Sequence, residues 1–142
     1  MVNSKAKGGA AERLIAKILA DWWGEPFARR PNRQKGSDHI VPKSFPFAVE
    51  VKDDKKLKVR HFFNPTNVIR EFWEQARSQA EREHKQPLLI CKAEGTWFAV
   101  SDLQMSRIDG LELRLDDQFV YVRTLLDFQR HKEAIQRTYK CK

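Results

Sequence analysis

Residues 45–52 constrain the fold most, because apolar side chains recur at every second position along this segment. A period of two is typical of a β-strand, whose successive side chains point to opposite faces. Phe47, Val49 and Val51 would face one side of the strand, and Ala48, Glu50 and Lys52 the other. Burying a charged group is costly, and proteins accept that cost mainly at functional sites. Glu50 and Lys52 therefore mark this strand as a candidate functional segment.

Two other segments have apolar residues every three or four positions, which predicts two amphipathic helices. The first covers residues 9–23, ends at Gly24 and carries Glu12 on the edge of its apolar face. The second begins at Asn64–Pro65, because Asn can cap a helix and Pro fits its first turn. It runs to about His84. We expect it to bury Ile69, Phe72, Trp73, Ala76 and Ala80.

The remaining segments predict further short elements. Strands are expected at residues 26–30, 37–41, 87–92 and 96–100, a hairpin at 111–123, and helices at 102–108 and 125–139. The length of 142 residues favours one domain, 1–142, over two. This order of elements predicts an α/β fold with a central mixed sheet flanked by helices.

Positive charge is concentrated in the first 60 residues. Residues 1–60 contain 14 Lys and Arg against 7 Asp and Glu, a net charge of +7. Residues 61–142 contain 13 against 12, a net charge of +1. A concentrated positive field attracts a polyanion, and nucleic acid is the commonest such partner.

Composition argues against a membrane or secreted protein. No segment approaches the roughly 20 apolar residues that cross a bilayer. Residues 1–9 lack the apolar core of a secretory signal. Two cysteines, Cys91 and Cys141, are too few for a disulfide framework. We therefore expect a cytoplasmic protein.

Asp38 lies in the strand-like stretch 37–41, which can pair with residues 45–52 in a hairpin. Glu50 and Lys52 are two positions apart and project from one face, so the three groups would converge. Two adjacent carboxylates repel unless a cation joins them, and oxygen ligands select Mg²⁺ or Mn²⁺. Such an ion can lower the pKa of a water, and the Lys52 ammonium can orient that water or stabilise a phosphoryl charge.

These residues resemble the PD-(D/E)XK nuclease superfamily. Ser37–Asp38 stands where Pro-Asp is usual, and Glu50–Val51–Lys52 matches the E-x-K half. The opening, Lys7 to Arg13, resembles the K-G-x-x-x-E-R start of archaeal-type Holliday-junction resolvases. Trp73–Ala76 followed by Pro87–Ile90 is similar to phage-encoded members. The resemblance covers about residues 4–100 and implies a restriction-endonuclease-like core, with 101–142 as an extension that packs on it.

The resemblance implies hydrolysis of DNA phosphodiester bonds by a metal-activated water. Asp38, Glu50 and the Val51 carbonyl would bind Mg²⁺ or Mn²⁺, Glu12 would assist, and Lys52 would position the water. Gln75 is a possible further site residue. A basic cluster would bind phosphates. Its members are Lys5, Lys7, Arg13, Arg29, Arg30, Arg33, Lys35, Lys55, Lys56 and Lys58.

Three functions remain open. The first is a homodimer that cuts branched DNA such as Holliday junctions, because symmetric cuts need two equivalent sites. The second is a nuclease acting on linear, flap or single-stranded DNA. The third is a basic nucleic-acid-binding module with the same fold and no catalysis. The four histidines lack zinc-ligand spacing, and His39 would point away from Asp38 across its strand.

Overall fold

The structure, a computed structural model, describes residues 4–31, 38–103 and 110–139, with side chains from Gly9 onward. These residues form α1 (Ser4–Trp23), α2 (Arg60–Phe63), α3 (Asn67–Glu83), α4 (Leu125–Gln129) and α5 (Lys132–Thr138). The strands are β1 (Ala28–Arg29), β2 (His39–Ile40), β3 (Phe47–Lys52), β4 (Gln86–Ala93), β5 (Thr96–Ser101), β6 (Leu111–Leu115) and β7 (Gln118–Thr124). None of the helices in these ranges has the length and apolarity that a membrane crossing requires.

Five strands form a mixed central sheet in the order β3-β4-β5-β7-β6. β3 and β4 are parallel, and α3 forms the crossover that a parallel pair needs. The other neighbouring pairs are antiparallel. The predicted α/β fold with a mixed, helix-flanked sheet is therefore confirmed, and it is consistent with a restriction-endonuclease-like core.

Two apolar clusters pack the helices onto opposite faces of this sheet. One joins α1 to the sheet and includes Ile15, Val49 and Ile90. The other joins α3 to the opposite face and includes Phe72 and Leu89. The alternation predicted for β3 is thus confirmed, because Val49 faces α1 and the residues on either side of it face α3. The strand carries its charged residues on the α3 side.

Several local predictions are confirmed. α1 ends at Trp23, and Gly24 follows as expected, with a positive φ of 86° that glycine adopts easily. Residues 111–123 form the predicted hairpin, although β7 extends to Thr124. The side chains expected to be buried by α3 are all buried, namely Ile69, Phe72, Trp73, Ala76 and Ala80.

Two helix predictions were wrong in their bounds. α3 begins at Asn67 rather than at Asn64–Pro65, because residues 60–63 form the short helix α2 and the Asn-Pro pair lies in the connection. The expected single helix 125–139 is two helices, since α4 ends at Gln129 and α5 begins at Lys132. The helix predicted for 102–108 lies largely outside the described residues.

The predicted hairpin between residues 37–41 and β3 was also wrong. β2 instead pairs antiparallel with β1 in a separate two-stranded sheet, with Arg29 opposite His39. Asp38, just before β2, hydrogen-bonds directly to β3. The segment therefore brings one carboxylate to the outer edge of the central sheet.

Candidate active site

Asp38 is fixed to the outer edge of β3 by two hydrogen bonds. Its backbone N–H donates to the Val49 carbonyl at 3.1 Å. Its Oδ2 atom accepts a hydrogen bond from the Val51 N–H at 2.7 Å. The N–H and C=O of one strand residue point to the same side. The Val51 carbonyl therefore faces the same edge as Asp38, as its predicted role as a ligand requires.

Glu50 lies beside Asp38 and is half-buried on the α3 side of the sheet. The pKa of Glu50 is raised to about 8, chiefly by burial, with the negative charge of Asp38 and a hydrogen bond to Asp38 acting in the same direction. The positive charge of Lys52 opposes this shift. At neutral pH Glu50 therefore holds a proton, which removes its repulsion with the neighbouring Asp38 carboxylate.

Lys52 completes this part of the site. Its Nζ atom lies 5.3 Å from the centre of the Phe72 ring on α3. A cation over an aromatic face is attracted by the ring, and the ring also shields the ammonium from water. The lysine is thereby held near Glu50 on the same face of β3, as the E-x-K spacing predicted.

Glu12 comes to the site from α1. Burial raises the pKa of Glu12, the hydrogen bond from Arg29 opposes that shift, and the charge of Asp38 adds to it. Asp38 is thus close enough to affect the Glu12 carboxylate. The Nε atom of Arg29 donates to Glu12 Oε2 at 2.7 Å, and both side chains are largely buried. Arg29 was predicted only as a phosphate clamp, so this ion pair is a contact that sequence spacing did not indicate.

His39 is fully buried and connects β2 to α1. Its Nε2 atom lies 2.5 Å from the backbone carbonyl oxygen of Glu12, and because a carbonyl can only accept, Nε2 donates. Burial lowers the pKa of His39, so the ring is neutral at pH 7. The prediction that His39 points away from Asp38 is compatible with this position, but its bond to the Glu12 backbone was not anticipated.

Replacing His39 with leucine should lower the free energy of unfolding by about 1–3 kcal/mol, because a buried hydrogen bond to the Glu12 carbonyl is lost. Denaturant unfolding followed by circular dichroism measures this change. His84→Asn is the control, since His84 is exposed and Asn tolerates its positive φ of 55°. Equal stability of His39→Leu and the wild type would show that the bond does not hold α1 to β2.

Arg13 and Arg29 converge on Gly9 of α1. A Cβ atom at Gly9 would lie 3.3 Å from a terminal nitrogen of each guanidinium. Glycine is unfavourable inside a helix, so this close approach gives a physical reason for its presence. The two arginines thereby form a compact positive patch beside Glu12.

Gln75 lines a cavity of about 590 Å³ with Glu50. Glu71 and Glu74 of the same helix line it too, together with Ser78, Gln79 and Arg82. The cavity opens between β3 and α3 and gives Glu50 access to solvent. Among the described residues no hydrogen bond joins Gln75 to Glu50, so the shared cavity is what places Gln75 beside the site.

The other predicted phosphate-binding residues differ in their surroundings. Lys55 and Lys56 are exposed just after β3, and Lys58 is half-buried nearby. Arg30 makes an ion pair with Glu83 at 3.1 Å. The side chains of Lys5 and Lys7, and the whole of Arg33 and Lys35, lie outside the described residues.

The family described as "Phage putative PDDEXK endonuclease" matches residues 3–141. The chain belongs to this family. Membership confirms the resemblance to the PD-(D/E)XK superfamily and to its phage-encoded members, and it assigns a nuclease activity in general. No curated protein matches the chain.

The family match also covers residues after Val100, where no resemblance was recognised. That segment supplies β6 and β7, two strands of the central sheet. In PDDEXK nucleases a divalent metal generally takes part in the reaction. Among the described residues, no group of three or more His, Cys, Asp and Glu side chains is arranged to hold a metal ion.

The residues at β3 nevertheless suit a divalent cation. Asp38 and Glu50 supply oxygen atoms, which Mg²⁺ and Mn²⁺ prefer, and a cation between them would favour the charged form of Glu50. The Glu12 carboxylate, the other candidate ligand, is instead engaged in an ion pair with Arg29. Cys91, on β4, is not a competing ligand, because full burial raises the pKa of its thiol to about 12.

Proposed function

We propose that the protein is a metal-dependent endonuclease that hydrolyses phosphodiester bonds in DNA. The observation that carries the proposal is the pair of carboxyl groups at the edge strand β3. Glu50 lies on this strand, Asp38 is hydrogen-bonded to it, and Lys52 follows on the same face. A non-catalytic binding module has no need for this costly arrangement. The proposed place of action is the cytoplasm of a phage-infected cell, where DNA is available.

The proposed cofactor is Mg²⁺ or Mn²⁺, held by Asp38, Glu50 and the Val51 carbonyl, with Glu12 as an assisting ligand. Such an ion lowers the pKa of a bound water and stabilises negative charge on a phosphoryl oxygen. The proton on Glu50 would leave when the ion binds. Glu12 can contribute only after its ion pair with Arg29 loosens, and a DNA phosphate is a suitable competing partner for that guanidinium.

Lys52 is the proposed catalytic cation. Its ammonium has three hydrogen-bond donors and no acceptor, so it can orient an attacking water and donate to a phosphoryl oxygen. Contact with Phe72 excludes water from one side of the ammonium, which strengthens its interaction with developing negative charge. The residue therefore acts on the reacting atoms rather than on the fold.

Lys55 and Lys56 are proposed to bind the DNA backbone next to the site. Lys55→Ala/Lys56→Ala should reduce the slope of log affinity against log salt by about 2, because each lost phosphate contact removes roughly 0.9 from it. Fluorescence anisotropy with labelled duplex at several salt concentrations measures the slope. Arg130→Ala/Arg137→Ala removes the same charge from exposed residues of the C-terminal region. An equal decrease of the slope in both variants would mean that the effect comes from the total charge and not from contacts of Lys55 and Lys56.

Branched DNA, such as a Holliday junction, is the proposed preferred substrate, and a homodimer is the proposed active form. This choice rests on the resolvase-like opening that includes Gly9 and Glu12. A two-fold dimer supplies two equivalent sites for paired cuts.

Cleavage rates on labelled four-way junction, flap, linear duplex and single strand, all in Mg²⁺, test the substrate. Preference for the junction with symmetric cuts is the expected result. Equal cleavage of all four substrates would contradict the resolvase proposal and indicate a nuclease without preference for branched DNA. Binding without any cleavage in Mg²⁺ or Mn²⁺ would instead favour a non-catalytic DNA-binding module.

A further inference from the structure

Strand β6 is the outer strand at the end of the sheet opposite the candidate active site. Within the described residues only β7 pairs with it. Glu112 and Arg114 are exposed, whereas Leu113 and Leu115 face the apolar cluster under α3. An edge strand presents backbone N–H and C=O groups that another strand can pair with.

The turn after β6 determines which residues face outward. Asp116 and Asp117 form a two-residue turn between Leu115 and Gln118, and Asp116 has a positive φ of 57°. In such a hairpin the residues that flank the turn exchange both hydrogen bonds. Since this pattern alternates, the backbone groups of Leu111, Leu113 and Leu115 point to β7. Those of Glu112 and Arg114 therefore point to the free edge.

The outward residues are self-complementary in one register only. In an antiparallel pair of two β6 strands, an outward residue hydrogen-bonds with an outward residue. Glu112 opposite Glu112, or Arg114 opposite Arg114, would oppose like charges. Glu112 opposite Arg114 of a second copy pairs opposite charges twice, by two-fold symmetry. The same register brings Leu113 of the two copies together on the apolar face.

We propose that β6 is the interface with a second copy of this chain, joined antiparallel with Glu112 opposite Arg114. Four backbone hydrogen bonds form between the copies, two at each Glu112–Arg114 pair. The two central sheets become one sheet of ten strands. The interface requires no DNA or metal, and only its use for paired cutting rests on the proposed function.

The surroundings of β6 fit this partner. The Arg114 guanidinium lies 5.9 Å from the Phe119 ring centre, and its Nε donates to the Asp116 carbonyl at 3.0 Å. The arginine is thus held along the edge, with its terminal nitrogens left to reach a carboxylate. Phe119 is 50% exposed and Phe63 is 73% exposed. Phe63 also shares a cavity of about 370 Å³ with Leu111, so exposed apolar surface adjoins the edge.

Charged residues on an edge strand also occur where a protein avoids association. Protection of that kind works best with like charges, which repel a second copy in every register. The alternating Glu112 and Arg114 instead favour one register. With neighbouring strands about 4.8 Å apart, the nine spacings of the joined sheet put the two candidate active sites roughly 40 Å apart.

Sedimentation velocity without DNA or metal tests the interface. Glu112→Arg and Arg114→Glu each put like charges opposite and should weaken dimerisation at least about tenfold. An equal mixture of these two variants should restore the dimer, because each then meets its opposite charge. The double variant Glu112→Arg/Arg114→Glu should also dimerise. Glu133→Arg, an equal charge change at an exposed residue of α5, is the control and should dimerise like the wild type.

Circular dichroism of each variant verifies the fold, since both side chains are exposed and the contacts of Arg114 with Phe119 and the Asp116 carbonyl lie at the surface. A wild type that remains monomeric at its highest soluble concentration would overturn the proposal. Single variants that dimerise as tightly as the wild type would overturn it too, as would a mixture that stays monomeric. These outcomes do not depend on cleavage activity. The proposed interface and the proposed nuclease function can therefore be refuted independently of each other.

Discussion

Replacing Asp38 with asparagine, or Lys52 with alanine, should lower the rate of DNA cleavage by about a thousandfold. Asp38→Asn keeps the shape of the side chain but removes the negative charge that a metal ion requires. Lys52→Ala removes the ammonium that is expected to orient water beside Glu50. Single-turnover cleavage of labelled DNA in Mg²⁺ measures both effects, and anisotropy should show that DNA affinity is retained.

Two matched variants separate catalysis from general damage. Asp117→Asn makes the same chemical change in an exposed turn far along the sheet. Lys92→Ala removes a strand lysine that is likewise held over an aromatic ring, with Nζ 5.7 Å from the centre of Trp97. Both controls should cleave within a few-fold of the wild type. Comparable losses in a control and its partner variant would show that the candidate site was wrongly assigned.

Replacing Glu50 with glutamine should raise the stability of the metal-free protein at pH 8 and above. The folded-state pKa of Glu50 is raised to about 8 from an ordinary 4.5, chiefly by burial. The folded protein therefore binds more protons than the unfolded chain between these values, and stability falls as the pH rises from 4.5 to 8. Glutamine remains neutral, so the gain should reach roughly 3–5 kcal/mol at high pH.

Denaturant unfolding in a chelator at pH 5 and pH 8.5 measures this gain, which should be small at the lower pH. Adding Mg²⁺ at pH 8.5 should stabilise the wild type and not Glu50→Gln, because a ligand that binds only the folded state stabilises it. Glu133→Gln is the matched control, since Glu133 is exposed. Equal stability of the wild type and Glu50→Gln at pH 8.5 would mean that ionisation of Glu50 does not destabilise the folded protein.

Local periodicity predicted the positions of Glu50 and Lys52 correctly. A strand repeats every two residues whatever surrounds it, so E-x-K spacing alone determines that both side chains share a face. The apolar positions of α3 were predictable for the same reason. Glu12 was expected on the inward edge of α1, and its half-buried position beside Arg29 agrees with that expectation.

Contacts between distant segments were not predictable from spacing. A hairpin between residues 37–41 and β3 was expected, but β2 pairs with β1 instead. Asp38 is bonded to β3 through its side chain and its backbone N–H. The Glu12–Arg29 ion pair and the bond from His39 to the Glu12 carbonyl join residues 17 and 27 positions apart. Such pairs depend on how the elements pack, which no local pattern specifies.

The break between α4 and α5 also had no local signal. The sequence Gln129–Lys132 contains neither Gly nor Pro, yet the chain leaves the helix there. Lys132 donates hydrogen bonds to the carbonyls of Trp22 and Trp23 at 3.0 and 3.1 Å. These carbonyls lie at the C-terminal end of α1, where a cation is favourable. Docking onto α1 therefore competes with a continuous helix.

Asp38, Glu50 and Lys52 are proposed to form a metal-dependent nuclease site, and one cleavage measurement tests this claim most directly. The wild type is incubated with end-labelled four-way junction and linear duplex in a chelator, and excess Mg²⁺ or Mn²⁺ is then added. We predict no cleavage before the metal and rapid cleavage after it, leaving 5′-phosphate and 3′-hydroxyl ends. Cleavage that proceeds equally in the chelator, or DNA binding with no cleavage in either metal, would contradict the claim.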